Sequence, residues 1–124
     1  MLAPTTSPYT LAEASRRAGV SVHQTRSYVN SGLVKPRAAT SAGYLLFDED
    51  GIARLRLIGA ATRAGLLIRD IEALPRALAA GDALALQAAY RAIVRIIEHR
   101  QDALEQLQDL VAQSCALKTR ETSP

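Results

Sequence analysis

Residues Thr10 to Leu33 read TLAEASRRAGVSVHQTRSYVNSGL, and the fold turns on this stretch. Thr10 is placed to cap a helix from Leu11 to about Ala18, and Glu13, at the third helical position, completes a capping box. Gly19 suits the left-handed turn that ends it, and Ser21 then caps a second helix from Val22 to about Ser31, closed by Gly32. Two short helices joined by a Gly-Val-Ser turn form a helix-turn-helix pattern. The second helix has too few apolar residues to fill a core and carries His23, Arg26 and Tyr28 among them, which raises the question of what its polar face meets.

The next stretch, LVKPRAATSAGYLLF from Leu33 to Phe47, reads as a two-stranded wing. Leu33–Val34 is expected to pair with Tyr44 to Phe47 across a loop carrying Arg37, Thr40 and Ser41, and Pro36 fits only an edge strand or a turn. Asp48 can cap a third helix from Glu49 to about Ala64, with Ile52, Leu55 and Ile58 on one face. Gly65 ends it. A fourth helix is expected from Ile68 to about Ala79, with Ile71, Leu74 and Leu78 inward and a kink or early end at Pro75.

Nothing breaks the helix that follows, from Ala83 to about Gln113. Leu86, Tyr90, Ile93, Ile97, Leu104, Leu107 and Val111 follow spacings of four and three, a heptad seam interrupted only by Arg100. Such a helix is roughly 45 Å long, too long to bury its stripe against so small a head. It either folds back on the head or pairs with a second copy, and pairing is favoured: burying six of these large side chains per chain, at about 1.5–3 kcal/mol each, would hold a homodimer. The expected organisation is a loose leader at 1–8, a winged helix-turn-helix domain at 9–79, a coiled-coil dimerisation helix at 83–113 and a flexible tail at 114–124. The fold class is mainly all-α.

Composition agrees with this plan. The chain has 124 residues and a net charge of +3. Up to Phe47, Arg16, Arg17, Arg26, Lys35 and Arg37 face Glu13 alone, whereas the chain from Ala77 onward is close to neutral. A basic front half suits a polyanion-binding head. No apolar run approaches the ~18 residues of a membrane span, no export signal is evident, and a single cysteine, Cys115, fits a reducing cytoplasm. Paired carboxylates, a nucleophile-plus-histidine arrangement and a glycine-rich phosphate loop are all missing, which argues against an enzyme.

The run from Tyr9 to Ile58, with AGVSVxxxR, GLVKP and GYLLFDED at their intervals, resembles the N-terminal domain of the MerR family of bacterial transcription regulators. The stretches TSAGYLLFDEDGIARL, EALPRAL and VRIIEHRQDALEQL are most similar to its small co-regulators of mercury-resistance operons. The resemblance implies a winged helix-turn-helix, a second helix pair, and a long helix forming an antiparallel coiled coil with its twin. It also implies double-stranded operator DNA as partner, with the metal-responsive activator and RNA polymerase as further candidate partners. On this reading the second helix lies in the major groove with His23 and Gln24 facing base edges, close to the cap Ser21. Arg26 and Tyr28 match the family's phosphate contacts; in the wing, Arg37 is the phosphate clamp and Thr40 and Tyr44 are weaker donors. Arg63 matches a basic phosphate contact at the end of the third helix.

Two departures from the family pattern lower the expected affinity: Ser27 stands where RYY is usual, and Leu45 where GYR is usual. Mercury-sensing members hold their ion with three thiolates drawn from both chains. Here AGDALALQ opens the long helix without a cysteine, so Cys115 alone cannot build that site. No metal and no cofactor is expected. The alternatives are a regulator of another operon, or a coiled-coil interaction module with little DNA binding.

Overall fold

The computed structural model describes residues 8–122, so the expected leader lies outside the described residues except for Pro8. The elements in chain order are β1 (Tyr9–Thr10), α1 (Leu11–Ala18), α2 (Val22–Asn30), β2 (Ala38–Ala39), β3 (Leu45–Phe47), α3 (Glu49–Arg63), α4 (Ile68–Ile71), α5 (Ala73–Ala80) and α6 (Ala83–Thr122). The mainly helical class and the winged helix-turn-helix head are as expected.

Local chemistry starts each head helix. Thr10 Oγ1 accepts from the Glu13 N–H at 3.2 Å, and the Glu13 carboxylate accepts from the Thr10 N–H at 3.3 Å. Those bonds from Thr10, first the backbone and then the side chain, hold the Glu13 carboxyl below its ordinary range. Asp48 Oδ1 accepts from the Gly51 N–H at 2.9 Å and starts α3. At the crossing of α1 and α2 small residues let the helices approach: Ala14, Ser15 and Ala18 are buried. Ser15 Oγ and Thr25 Oγ1 lie 2.7 Å apart, and each also reaches a backbone carbonyl of its own helix. Two hydroxyl protons thus serve three short contacts, and Thr25 is fully enclosed.

The wing differs from expectation. It has three antiparallel strands in the order β1-β3-β2, with Tyr9 opposite Phe47 and Ala38 opposite Leu46. Ala38–Ala39, not Leu33–Val34, forms its outer strand. Leu33 and Val34 are buried in the core, and their N–H groups bond the Tyr28 carbonyl that ends α2. Two successive core residues cannot belong to a strand whose side chains alternate between faces. The ladder begins after Pro36, where the Arg37 N–H donates to the Leu46 carbonyl at 2.9 Å.

Phe47, Ile52, Leu55 and Ile58 form the centre of the core, which Val20, Leu66 and Ile71 extend. Gly59 lets α3 approach the turn between α1 and α2: a Cβ there would lie 2.5 Å from Val20 Cγ1. Gly59→Ala is therefore expected to destabilise the head. The gain in helix propensity is about 1 kcal/mol and the overpacking cost about 1–3 kcal/mol, so urea unfolding should show a net loss. A rise in stability would show that Val20 gives way freely.

The expected fourth helix is two. It breaks at Glu72, between α4 and α5. The ring of a proline clashes with the carbonyl four residues earlier; for Pro75 that residue is Ile71, where α4 ends. Pro75 itself sits in the first turn of α5, where its missing N–H is no loss. Leu78, expected inward, is exposed, and Ala77 is buried in its place.

The last helix runs to Thr122, well past the expected end at Gln113, because no Gly or Pro interrupts residues 83–122. The expected flexible tail is helical that far. Its single seam also divides. Ile93 and Ile96 pack against the core of their own head, Ala89 is buried and Leu86 is half-buried. Tyr90, Ile97, Leu104, Leu107 and Val111 are exposed. The first half of α6 thus folds onto the head, and the second half stands clear of it.

Candidate nucleic-acid interface

Helix α2 buries Thr25 and Tyr28 and turns Val22, His23, Arg26, Ser27 and Asn30 outward. These residues recur at spacings of three and four, so they share one face. Between that face and the wing lies a cleft of about 530 Å³, lined by Val22 and Arg26 on one side and by Gly43, Tyr44, Leu45 and Leu46 on the other. Tyr44, 72% exposed, stands at the wing's edge of the cleft. Arg37 is also exposed, just ahead of β2. A cationic helix face beside an exposed hairpin is the shape that enters a major groove and grips the flanking backbone.

Several expected site residues have other work here. Ser21 Oγ accepts from the Gln24 N–H at 3.0 Å, while the Ser21 N–H donates to Gln24 Oε1 at 2.9 Å. Gln24 therefore completes the capping box of α2, and reading an adenine with both amide atoms requires that bond to break. Ser21 is the other half of the cap rather than a free donor. Tyr28 is only 7% exposed, so its ring is a core group. Thr40 Oγ1 accepts from the Tyr44 N–H at 3.0 Å and the Gly43 N–H donates to the Thr40 carbonyl at 2.8 Å, so Thr40 shapes the wing turn. Arg63 donates from Nη1 to the Gly19 carbonyl at 3.1 Å, bracing the turn between α1 and α2. Arg56, two turns earlier on α3, donates from Nε to the Arg17 carbonyl at 3.2 Å. Both place cations at the carbonyl end of α1, where the helix dipole favours them.

His23, Arg26, Arg37 and Tyr44 thus remain outward-facing, and Val22 joins them. Sequence reasoning passes over Val22 because a lone apolar residue at a helix start reads as packing. It is 40% exposed beside Arg26, its neighbour one turn on, and an exposed methyl pair suits the methyl group of thymine. At the base of α1, the Arg17 guanidinium lies 4.7 Å from the centre of the Tyr9 ring. The Tyr9 hydroxyl donates to Glu49 at 2.6 Å, a bond that raises the Tyr9 pKa and anchors β1 to the start of α3. Among the described residues, no group of three or more His, Cys, Asp or Glu side chains is placed to hold a metal ion, and no helix is long and apolar enough to cross a membrane.

The sequence profile of the MerR HTH family of regulatory proteins matches residues 9–78, from β1 to within α5. This chain belongs to the MerR family. It is 40% identical to the HTH-type transcriptional regulator MerD of Shigella flexneri over 116 residues, 93% of this chain and 96% of that one. Against MerD of Acinetobacter calcoaceticus it is 39% identical over 102 residues, 82% and 84% of the two chains. The chain is thus a MerD-like, DNA-binding transcription regulator of the MerR family rather than an enzyme. Two solved structures share its fold. SkgA from Caulobacter crescentus superposes with a TM-score of 0.64 at 30% identity, over 97% of this chain and 84% of that one. HiNmlR, a MerR family regulator lacking the sensor domain and bound to promoter DNA, gives a TM-score of 0.74 at 20% identity over 92% of each chain. In this MerR-family fold α2 is the second helix of the helix-turn-helix and the three-stranded sheet is the wing.

Proposed function

We propose that the protein is a homodimeric co-regulator or repressor of a mercury-resistance operon, which occupies operator DNA without sensing metal itself. The observation that carries this reading is the exposed face of α2, with Val22, His23 and Arg26 beside the wing, in a chain similar to MerD over 93% of its length. His23 and Val22 meet base edges, while Arg26 and Arg37 meet phosphates. Tyr44 supports them from the wing, and Tyr28 contributes the packing that holds α2 in place. Only one thiol per chain, Cys115, is available, too few for a soft three-sulfur site, so control by occupancy fits better than direct switching. The protein would act in the bacterial cytoplasm, alone or beside the metal-responsive activator.

The second half of α6 supports the dimer. A lone helix in water is marginal without tertiary cover, yet Leu104, Leu107, Leu110, Val111 and Leu117 all stand exposed on it. Arg91 and Arg95 precede this half and Asp102, Glu105 and Asp109 lie within it. An antiparallel pair sets the basic stretch of one copy against the acidic stretch of the other, whereas a parallel pair sets like against like.

The test is a gel-shift titration on mercury-resistance operator DNA and on an unrelated duplex, at two salt concentrations. Arg26→Ala is expected to weaken binding to both duplexes about equally and to reduce the salt slope by about two, one phosphate contact from each protomer. His23→Ala should instead narrow the gap between the two duplexes. Absence of retention at low salt for the unmodified protein would sink the DNA-binding reading and favour an interaction module.

A further inference from the structure

Arg100 interrupts the apolar seam of α6, and the structure shows where it goes. Its Nη1 donates to the Gly65 carbonyl at 2.7 Å and approaches the Ala64 carbonyl at 3.5 Å. Those two residues end α3. The Gly65 N–H bonds the Thr62 carbonyl and the Leu66 N–H bonds the Ala61 carbonyl, the paired bonds of a glycine-ended helix. The negative end of α3 therefore points at the guanidinium. Gly65 has a φ of +87°, a conformation that favours glycine, and a Cβ on it would lie 2.9 Å from Arg100 Nη1, so the guanidinium packs directly against the bare backbone of this turn.

The place of this contact along α6 gives it meaning. Ala89, Ile93 and Ile96 hold the first half of the helix to the head through apolar contacts, which permit sliding and rolling. Arg100 follows them, and the described side chains from Gln101 to Thr119 are all exposed. The guanidinium thus sits at the point where the rod leaves the head, and it adds a directional, charge-assisted bond to a non-directional interface.

We infer that Arg100 is a positioning residue: its bond to the end of α3 fixes the angle between head and rod, and thereby the separation of the two recognition helices in the dimer. This rests on the dimeric DNA-binding reading above. A rotation of about 10° on a lever of about 20 Å, the scale of a small domain, displaces α2 by roughly 3.4 Å, the rise of one base pair. Small changes of this angle are therefore changes of operator spacing.

Two measurements test it. The first is affinity for a series of duplexes whose half-sites are moved apart one base pair at a time. The unmodified protein is expected to show one optimum, with about a tenfold loss for each step away, as for a misplaced charge-assisted bond. Arg100→Gln should flatten that series to about a twofold loss per step, with the dimer intact by sedimentation, because a neutral amide holds the carbonyl more weakly. Arg100→Lys, which keeps a cationic donor, should restore part of the discrimination.

The second measurement places spin labels at Ser41→Cys and Gln113→Cys in one chain, on a Cys115→Ser background, diluted with unlabelled protein. It reads the head-to-rod distance within a single chain, whether or not DNA is bound. Arg100→Gln should broaden that distribution. Unchanged spacing preference together with an unchanged distance distribution would overturn the inference. If the unmodified protein bound no DNA, the functional reading would fail, and the label distances alone would decide the role of Arg100.

Discussion

Phe47→Ala is expected to lower the melting temperature of the head by roughly 12–40 °C and to abolish DNA binding with it. Phe47 is fully buried and lies on β3, the central strand of the wing sheet, opposite Tyr9 of β1. Its ring also packs against the first turn of α3, where even a Cβ on Gly51 would lie only 3.4 Å from Phe47 Cδ1. One side chain thus joins the sheet to the helix that supports the helix-turn-helix. Truncating a buried phenylalanine costs about 3–5 kcal/mol, and domains of this size have total stabilities only of order 5–15 kcal/mol. For a small head each kcal/mol corresponds to about 4–8 °C, which gives the stated range. Thermal unfolding followed by circular dichroism reads it directly. A fall of less than about 5 °C would mean that the wing and α3 hold together without this ring, and that the core is centred elsewhere, on Ile52, Leu55 and Ile58.

The second large effect is on assembly. Leu107→Glu should weaken the dimer by about a hundredfold to ten-thousandfold while leaving the head folded. Leu107 is exposed within its own chain and touches none of the head core, so its loss carries no penalty for the isolated fold. In a twofold pair the substitution occurs twice. Each copy forfeits about 1.5–3 kcal/mol of apolar burial, and a tenfold change in affinity corresponds to about 1.4 kcal/mol. The carboxylate adds its own desolvation cost and raises the acidity of a half that already carries Asp102, Glu105 and Asp109. Sedimentation at micromolar concentration reads the shift to monomer. Binding to a palindromic duplex should fall further than binding to a half-site, because two linked heads bind with the second contact effectively intramolecular. A Leu107→Glu protein that stays dimeric at the same concentration would move the interface to another face of α6.

Much of the head was legible in the chain because its signals are local. Thr10 with Glu13, Asp48 with the Gly51 N–H, and the glycines at 19 and 65 act over three or four residues, and their bonds appear where the sequence places them. The same reach explains the unbroken α6, since residues 83–122 contain no residue that stops a helix. The capping box at Ser21 and Gln24 belongs to this class too, yet its consequence was not legible: a residue placed to read a base is also the residue that best caps the helix, and only the bond at 2.9 Å shows the side chain committed to the cap.

Tertiary structure alone decided the rest. Tyr28 and Arg26 are two residues apart on one helix, and periodicity allows either to face outward; the packing of Leu33, Val34 and the α3 core draws Tyr28 in and leaves Arg26 at the cleft. Leu33–Val34 looks like a strand until their N–H groups are found on the Tyr28 carbonyl. Arg100 looks like a flaw in a coiled-coil seam until its partner proves to be Gly65, just past the end of α3. Hydrogen-bond caps and turns depend on neighbours along the chain, so the sequence states them. The choice of which polar side chain is buried, braced or left for a partner depends on contacts between distant segments, and those exist only once the backbone has brought the segments together.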